Sequence, residues 1–296
     1  MTCLRGYVFL IVLFLAVPLV FSQAETLNLT YTTIDVPGAM STSASGINLA
    51  GDVVGGYANS DGSGGSFLLS GGNFTLFNYP GGDLTSAEAI NDSGLIAGWA
   101  YVRSNTAAVG FTYQGGTFTT IRVPGKSVTF VSGVDNAGDI VGSDGTFGTT
   151  KGFERVGTRF KTISPPPGGF IYVSVTGVNN LGEIVGWTSS ASTRGFSDKG
   201  GAFRTIIFPG PSTSMTEAWA VNDSGVIVGW YETGPPYTFF GFALMNGRYI
   251  SLNYPGAVET FALGINNLGQ VVGEYTFDGM TFHGFVTSSI SAADFH

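Results

Sequence analysis

Ile265-Asn266-Asn267-Leu268-Gly269-Gln270-Val271-Val272-Gly273 is the stretch from which the fold is read. An Asx residue, two variable residues and a Gly suit a tight turn, and the β-branched pair behind them suits the start of a strand. In outline the phrase is Asn-x-x-Gly-x-(Val/Ile)-(Val/Ala)-Gly, and it returns with its first Gly at Gly51, Gly94, Gly138, Gly182, Gly225 and Gly269, at intervals of 43 or 44 residues. Two further markers keep this period and order. Pro-Gly pairs begin at Pro37, Pro80, Pro124, Pro167, Pro209 and Pro255, and a Phe recurs at Phe67, Phe111, Phe153, Phe196, Phe242 and Phe285. Three markers with one period define an internal repeat.

Each repeat reads as four short strands. In the second and third copies they are a small-residue run near 87–90, an apolar run near 95–99, a Gly-Phe run near 110–113 and a Phe-Thr-x-Ile run at 118–123, ended by Pro124-Gly125. Asn48, Asn91, Asp135, Asn179, Asn222 and Asn266 open the turn between the first two, with Gly at its exit, as a type I turn with a Gly bulge requires. A period of about 43 residues in four strands is that of a propeller blade. The fold expected is all-β: a six-bladed β-propeller of 43–44-residue repeats starting near 31, 74, 118, 160, 203 and 249. Gly46, Ala89, Gly133, Gly177, Ala220 and Gly264 place the small-residue run innermost, against the axis. The leftover strand 31–36 is then expected to pair with 283–287 and close the ring.

Composition agrees. Of 296 residues, 46 are Gly, 14% are aromatic and only 11% are charged, against about 25% charged in an average domain. Disorder, collagen and long helices are excluded, and a net charge of −8 argues against nucleic acid as a partner. Residues 1–24 read as a signal peptide: Arg5, an apolar run from Tyr7 to Phe21, then small residues at Ser22 and Ala24. Its removal would take away Cys3, the only cysteine, and leave a cysteine-free propeller at 25–296 with no stable membrane span. The expected location is secreted or extracytoplasmic, in the periplasm or at the cell surface.

The repeat resembles the secreted bacterial family named for its His-Ala-Phe signature, the HAF repeat. That family carries an Ile-Asn-x-x-Gly-x-Val-Val-Gly core and then His-Ala-Phe some ten residues on. Ile265 to Gly273 followed by His283-Gly284-Phe285 is the best copy; the other five lack the His, and none has the Ala. The resemblance spans Tyr31 to Thr287 and implies export and a repeat architecture, with no catalytic residues.

Enzyme constellations are thin. Beyond the leader, His283 and His296 are the histidines, and no Gly-x-Ser-x-Gly, phosphate loop or His-Glu-x-x-His occurs. No metal site or cofactor is expected: Asp61-Gly62, Asp144-Gly145 and Asp278-Gly279 read as turns in loops between the apolar and Gly-Phe strands. One end of the ring carries short uniform turns; the other carries the Pro-Gly loops and loops of varied length. Trp99, Trp187 and Trp230 approach that second end, where they either fill the gaps between blades, the favoured reading, or face a ligand, and its loops hold Phe130, Phe170, Tyr172, Tyr237, Phe239, Phe240 and Phe277. Variable loops on a rigid scaffold are where binding resides, and aromatics there stack on sugars or anchor proteins. The function expected is a non-catalytic binding or interaction module for an extracellular protein or glycan. Two alternatives are a propeller hydrolase acting on carbohydrate and a structural repeat protein of the envelope or matrix.

Overall fold

The computed structural model describes residues 25–27, 29–102, 107–146, 149–164, 172–210 and 212–295. The leader 1–24, Pro167-Gly168, Phe170 and His296 lie outside these residues. The fold is all-β, with one short 3-10 helix, Ala292–Phe295.

All but one of the described strands form six antiparallel four-strand meanders, each running from inner to outer strand; the remaining one, Glu25–Thr26, pairs parallel with Arg248–Leu252. Meander I is Ser41–Ile47, Val53–Ala58, Gly64–Ser70 and Asn73–Phe77; II is Leu84–Ile90, Ile96–Val102, Ala107–Gln114 and Thr117–Ile121. Meander III is Val128–Val134, Ile140–Thr146, Thr149–Val156 and Arg159–Ile163; IV is Tyr172–Val178, Glu183–Ser189, Thr193–Lys199 and Ala202–Ile206. Meander V is Thr213–Val221, Ile227–Thr233, Thr238–Met245 and Arg248–Leu252. Meander VI joins the two ends of the chain: Glu259–Ile265, Val271–Thr276, Phe282–Thr287 and, as outer strand, Tyr31–Ile34. The outer pairing runs from Tyr31↔Thr287 to Ile34↔Gly284. His283 Nδ1 lies 3.0 Å from Asp35 Oδ1 across this seam. The leftover strand thus stops at Ile34, two residues short of the expected end, because Val36 already opens the Pro-Gly turn.

Two features explain the repeated phrase. At its start, the Asx side chain folds back on its own turn. Its Oδ1 accepts the backbone N–H four residues on in every copy, at 2.9–3.0 Å (Asp52, Leu95, Asp139, Glu183, Val226 and Gln270). At its end, each second strand has a Gly opposite a β-bulge in the inner strand. A Cβ on Gly98, for example, would strike the Ser86 carbonyl, so the strand tolerates no side chain there.

The core is layered between meanders. One Phe from each third strand is buried, five of the six at 1% exposure or less: Phe67, Phe111, Phe153, Phe242 and Phe285. Truncating such a ring costs about 3–5 kcal/mol. Inner strands approach closely through their small residues. A Cβ on Gly46 would lie 2.9 Å from Ala89 Cα, and one on Gly264 would lie 2.6 Å from the Ser45 carbonyl, so the sixth inner strand touches the first.

Candidate binding face

The end opposite the Asx turns is built by the crossovers between meanders. Val36-Pro37-Gly38-Ala39 closes with Ala39 N–H donating to Val36 O at 3.0 Å, and Gly38 takes φ +83°. Pro at the second and a left-handed Gly at the third position make this a type II turn. The loops at Pro80, Pro124 and Pro255 repeat it, with closing bonds of 2.9–3.2 Å. A buried Thr then latches five of the crossovers to the next inner strand; meander IV has Val173 at that position. Thr42, Thr85, Thr129, Thr216 and Thr260 accept the backbone N–H of Val36, Tyr79, Val123, Phe208 and Tyr254 at 2.9–3.1 Å. No single Thr stands out in a Thr-rich sequence; recurrence with the repeat period is the signal that would have found them.

On this rigid rim the aromatic residues divide into two groups. Tyr237 is 67% exposed, Phe277 53% and Tyr172 37%. Phe277 is held upright, edge-on to Tyr254 and Tyr275, whose rings stack at 3.5 Å and share the Thr33 hydroxyl at 2.9 Å. Met40, Leu84, Val258 and Met280, each about half exposed or more, extend the apolar surface of the same end.

The second group is not open. Trp99 lies edge-on to Phe130 of meander III at 5.1 Å, and Trp230 to Phe261 of meander VI at 5.6 Å with Phe239 against both. These rings wedge adjacent meanders apart at a set distance. Trp187 holds the same register position opposite Ser174 and is half-buried. Expected on loops, Phe130, Tyr172, Phe239 and Phe240 belong to strands, because pairing continues beyond the expected ends, as in Phe239↔Glu232. Asp144 is likewise a buried strand residue, with Lys126 Nζ 3.1 Å from its Oδ1, and not part of a loop. Asp61 and Asp278 do lie in loops. Asp278 accepts N–H bonds from Met280 and Thr281, both at 2.8 Å, which lower the pKa of its carboxyl to about 2.

Buried carboxyl groups missed in the sequence lie beneath this face, and one of them, Glu88, faces the axis. The bulge in each inner strand turns one residue inward: Ser45, Glu88, Ser132, Thr176, Trp219 and Leu263 line an axial cavity of about 80 Å³. Glu88 accepts the Trp99 indole N–H at 2.7 Å, and Glu217 accepts that of Trp219 at 3.1 Å. Burial pushes the pKa of the Glu217 carboxyl up to about 8. It also raises Glu88 and Glu274, and Glu274 is raised further by the charge of Glu88. Near neutral pH Glu217 is therefore mostly protonated, a neutral hydrogen-bonding group behind the aromatic wedges. Among the described residues no cluster of His, Cys, Asp or Glu has metal-binding geometry, and no helix is long and apolar enough to cross a membrane.

No family model matches the chain, and no curated protein matches it. Solved structures do. The SapL1 lectin in complex with alpha methyl fucoside superposes with a TM-score of 0.51 at 13% identity, over 84% of this chain and 93% of the lectin. The Aleuria aurantia lectin with alpha-methyl-L-fucoside gives 0.50 at 10% identity, over 86% and 93%. A gluconolactonase from Xanthomonas campestris gives 0.50 at 12% identity, over 84% and 87%. The fold is propeller-like. At such identities the likeness extends to the fold and no further.

Proposed function

We propose that the six meanders are the blades of a closed six-bladed β-propeller, exported from the cell, which binds a glycan or an extracellular protein through its loop-bearing end. Closure is supported by the Tyr31–Ile34 pairing, the His283–Asp35 contact and the bond from Asn266 Nδ2 to Asn48 O at 3.0 Å, which links the sixth turn to the first. Export is supported by the apolar leader and by the resemblance of Ile265 to Gly273 and His283-Gly284-Phe285 to the His-Ala-Phe repeat.

The observation that carries the binding reading is the placement of the exposed aromatic rings. Among the described residues Tyr172, Tyr237 and Phe277 all stand on the loop-bearing end, beside exposed Met40, Leu84, Val258 and Met280, whereas the exposed apolar side chains of the turn end, Leu49, Val156, Leu181 and Leu268, include no aromatic ring. A soluble protein keeps such a patch where a ligand covers it. The fold neighbours include two lectins in complex with fucosides, consistent with a sugar as that ligand. Glycan-array and pull-down experiments with the secreted protein test the reading. The wild type should retain a ligand that the Tyr172→Ala, Tyr237→Ala, Phe277→Ala triple variant loses; absence of any ligand in both formats, with self-assembly instead, would favour a structural role.

One observation favours the hydrolase alternative: burial, and to a lesser extent the charge of Glu88, raises the Glu274 carboxyl, so these two acids interact. Turnover of aryl glycosides, abolished by Glu274→Gln, would establish it. Retention of a glycan without turnover would exclude it for that glycan.

A further inference from the structure

Two neighbouring grooves on the rim, both on the side of the Asx turns, occupy equivalent places in the repeat and have opposite linings. Between meanders V and VI the ends of the chain fill the groove. Ile290 and Phe295 are buried there against Val226, Ile250, Leu252 and Val271, and Leu27 and Leu29 pack beside them. Ile290 N–H donates to Gly269 O at 2.8 Å, which holds the tail in place. Between meanders IV and V the groove stays open, as a cavity of about 480 Å³. Strand register matches the two sets of walls residue by residue. Glu183 stands where the next meander has Val226, Ser197 where it has Ala243, Lys199 where it has Met245, and Arg204 where it has Ile250. The apolar walls face the chain's own apolar tail. The charged and hydroxylated walls face a cavity within the size range of small-molecule sites, about 300–1,000 Å³.

We propose that the groove between meanders IV and V is a binding site for an acidic sugar, a hexuronate residue, separate from the loop-bearing end. The lining supplies what such a ring needs. Arg204 is exposed and makes no ion pair among the described residues, so its guanidinium is available to take a carboxylate in a bidentate fork. Lys199 adds a second positive charge, only loosely held by Glu183 at 3.6 Å. With Glu183 on the same wall, the two cations leave one net positive charge there, in a chain of net charge −8. Ser197, Ser224 and the Glu183 carboxylate offer donors and acceptors for ring hydroxyls. Ile227, Leu244 and the Tyr249 ring give the C–H face of the sugar an apolar floor. A peptide tail like the chain's own would leave these polar walls unpaired, a cost that the V–VI groove avoids.

The test is isothermal titration calorimetry of the full chain with methyl β-D-glucuronide, methyl β-D-glucoside and acetate. The glucuronide should saturate one site, bind at least about tenfold more tightly than the glucoside, and leave acetate without a saturable signal. Arg204→Ala should weaken the glucuronide at least about tenfold and Lys199→Ala by less, with unchanged melting because both side chains are exposed. Tyr237→Ala, at the other end, should leave this affinity unchanged, which separates the site from the loop-bearing face. Failure of the glucuronide to saturate, equal affinity for the glucoside or acetate, or wild-type affinity in Arg204→Ala would overturn the proposal. So would a dimer that disappears in Arg204→Ala, since the groove would then hold a second copy.

Discussion

The two ends of the molecule are built from the same six repeats and behave as opposites. At the turn end five of the six copies do the same thing. Asn48, Asn91, Asn179, Asn222 and Asn266 each donate Nδ2–H to the backbone carbonyl at the equivalent position of the next turn, at 2.9–3.4 Å, while Oδ1 stays within its own turn. A second tier runs outside it: Asp92, Asn136, Asn180, Asp223 and Asn267 each accept, through Oδ1, the N–H of the preceding copy at 2.8–2.9 Å. At the loop end only the Pro-Gly turn and the Thr latch recur, and what lies between them varies. Uniformity marks the residues that hold the repeats together; variation marks the residues free to meet a ligand.

The sharpest break of this contrast is Asn266→Ala. It removes the bond to the first turn and the bond to Gln270 N–H, leaving buried polar groups unpaired, for an expected loss of about 2–4 kcal/mol in urea unfolding. Next in size is a pH effect at the buried carboxyls. Glu217 holds its proton up to about 8 in the folded chain, against an ordinary value of 4.5. Its contribution to stability is therefore full below pH 4.5 and is lost as pH rises through about 8. Glu88 and Glu274 are raised and act in the same direction. Thermal melts should fall from pH 5 to pH 9, and Glu217→Gln, which keeps an acceptor for Trp219, should flatten the fall by about 2–4 kcal/mol.

Asp135 is the one turn opener with no amide to donate, and burial together with the charge of Asp139 raises its carboxyl. Asp135→Asn should supply the missing donor and remove the repulsion, raising stability by about 1 kcal/mol by the same unfolding assay. Smallest is the effect expected at the loop end. Tyr237→Ala and Phe277→Ala should each change stability by less than about 0.5–1 kcal/mol while weakening ligand capture.

How much of this was legible in the sequence follows the same division. The turn openers, the four-strand unit and the pairing of the chain's ends were readable because each recurs six times or answers a leftover strand. The packing of Trp99 and Trp230 between meanders was readable as gap filling between blades, whereas the end of the leftover strand at Ile34 and not Val36 and the strand membership of Asp144 were not, since spacing alone does not say where pairing stops. The axial Glu88 was hidden by a bulge, which adds one residue and reverses the facing that strict alternation assigns. The tail that fills the V–VI groove follows the last repeat and has no periodic counterpart.

The division of labour between the ends is tested most directly by one paired measurement: ligand capture and thermal melting for the loop-end triple variant and for Asn266→Ala, beside the wild type. The triple variant should lose capture and keep its melting temperature, whereas Asn266→Ala should melt several degrees lower and, below its transition, still capture ligand. A triple variant that captures as well as the wild type, or a ligand lost from Asn266→Ala while it remains folded, would contradict the account.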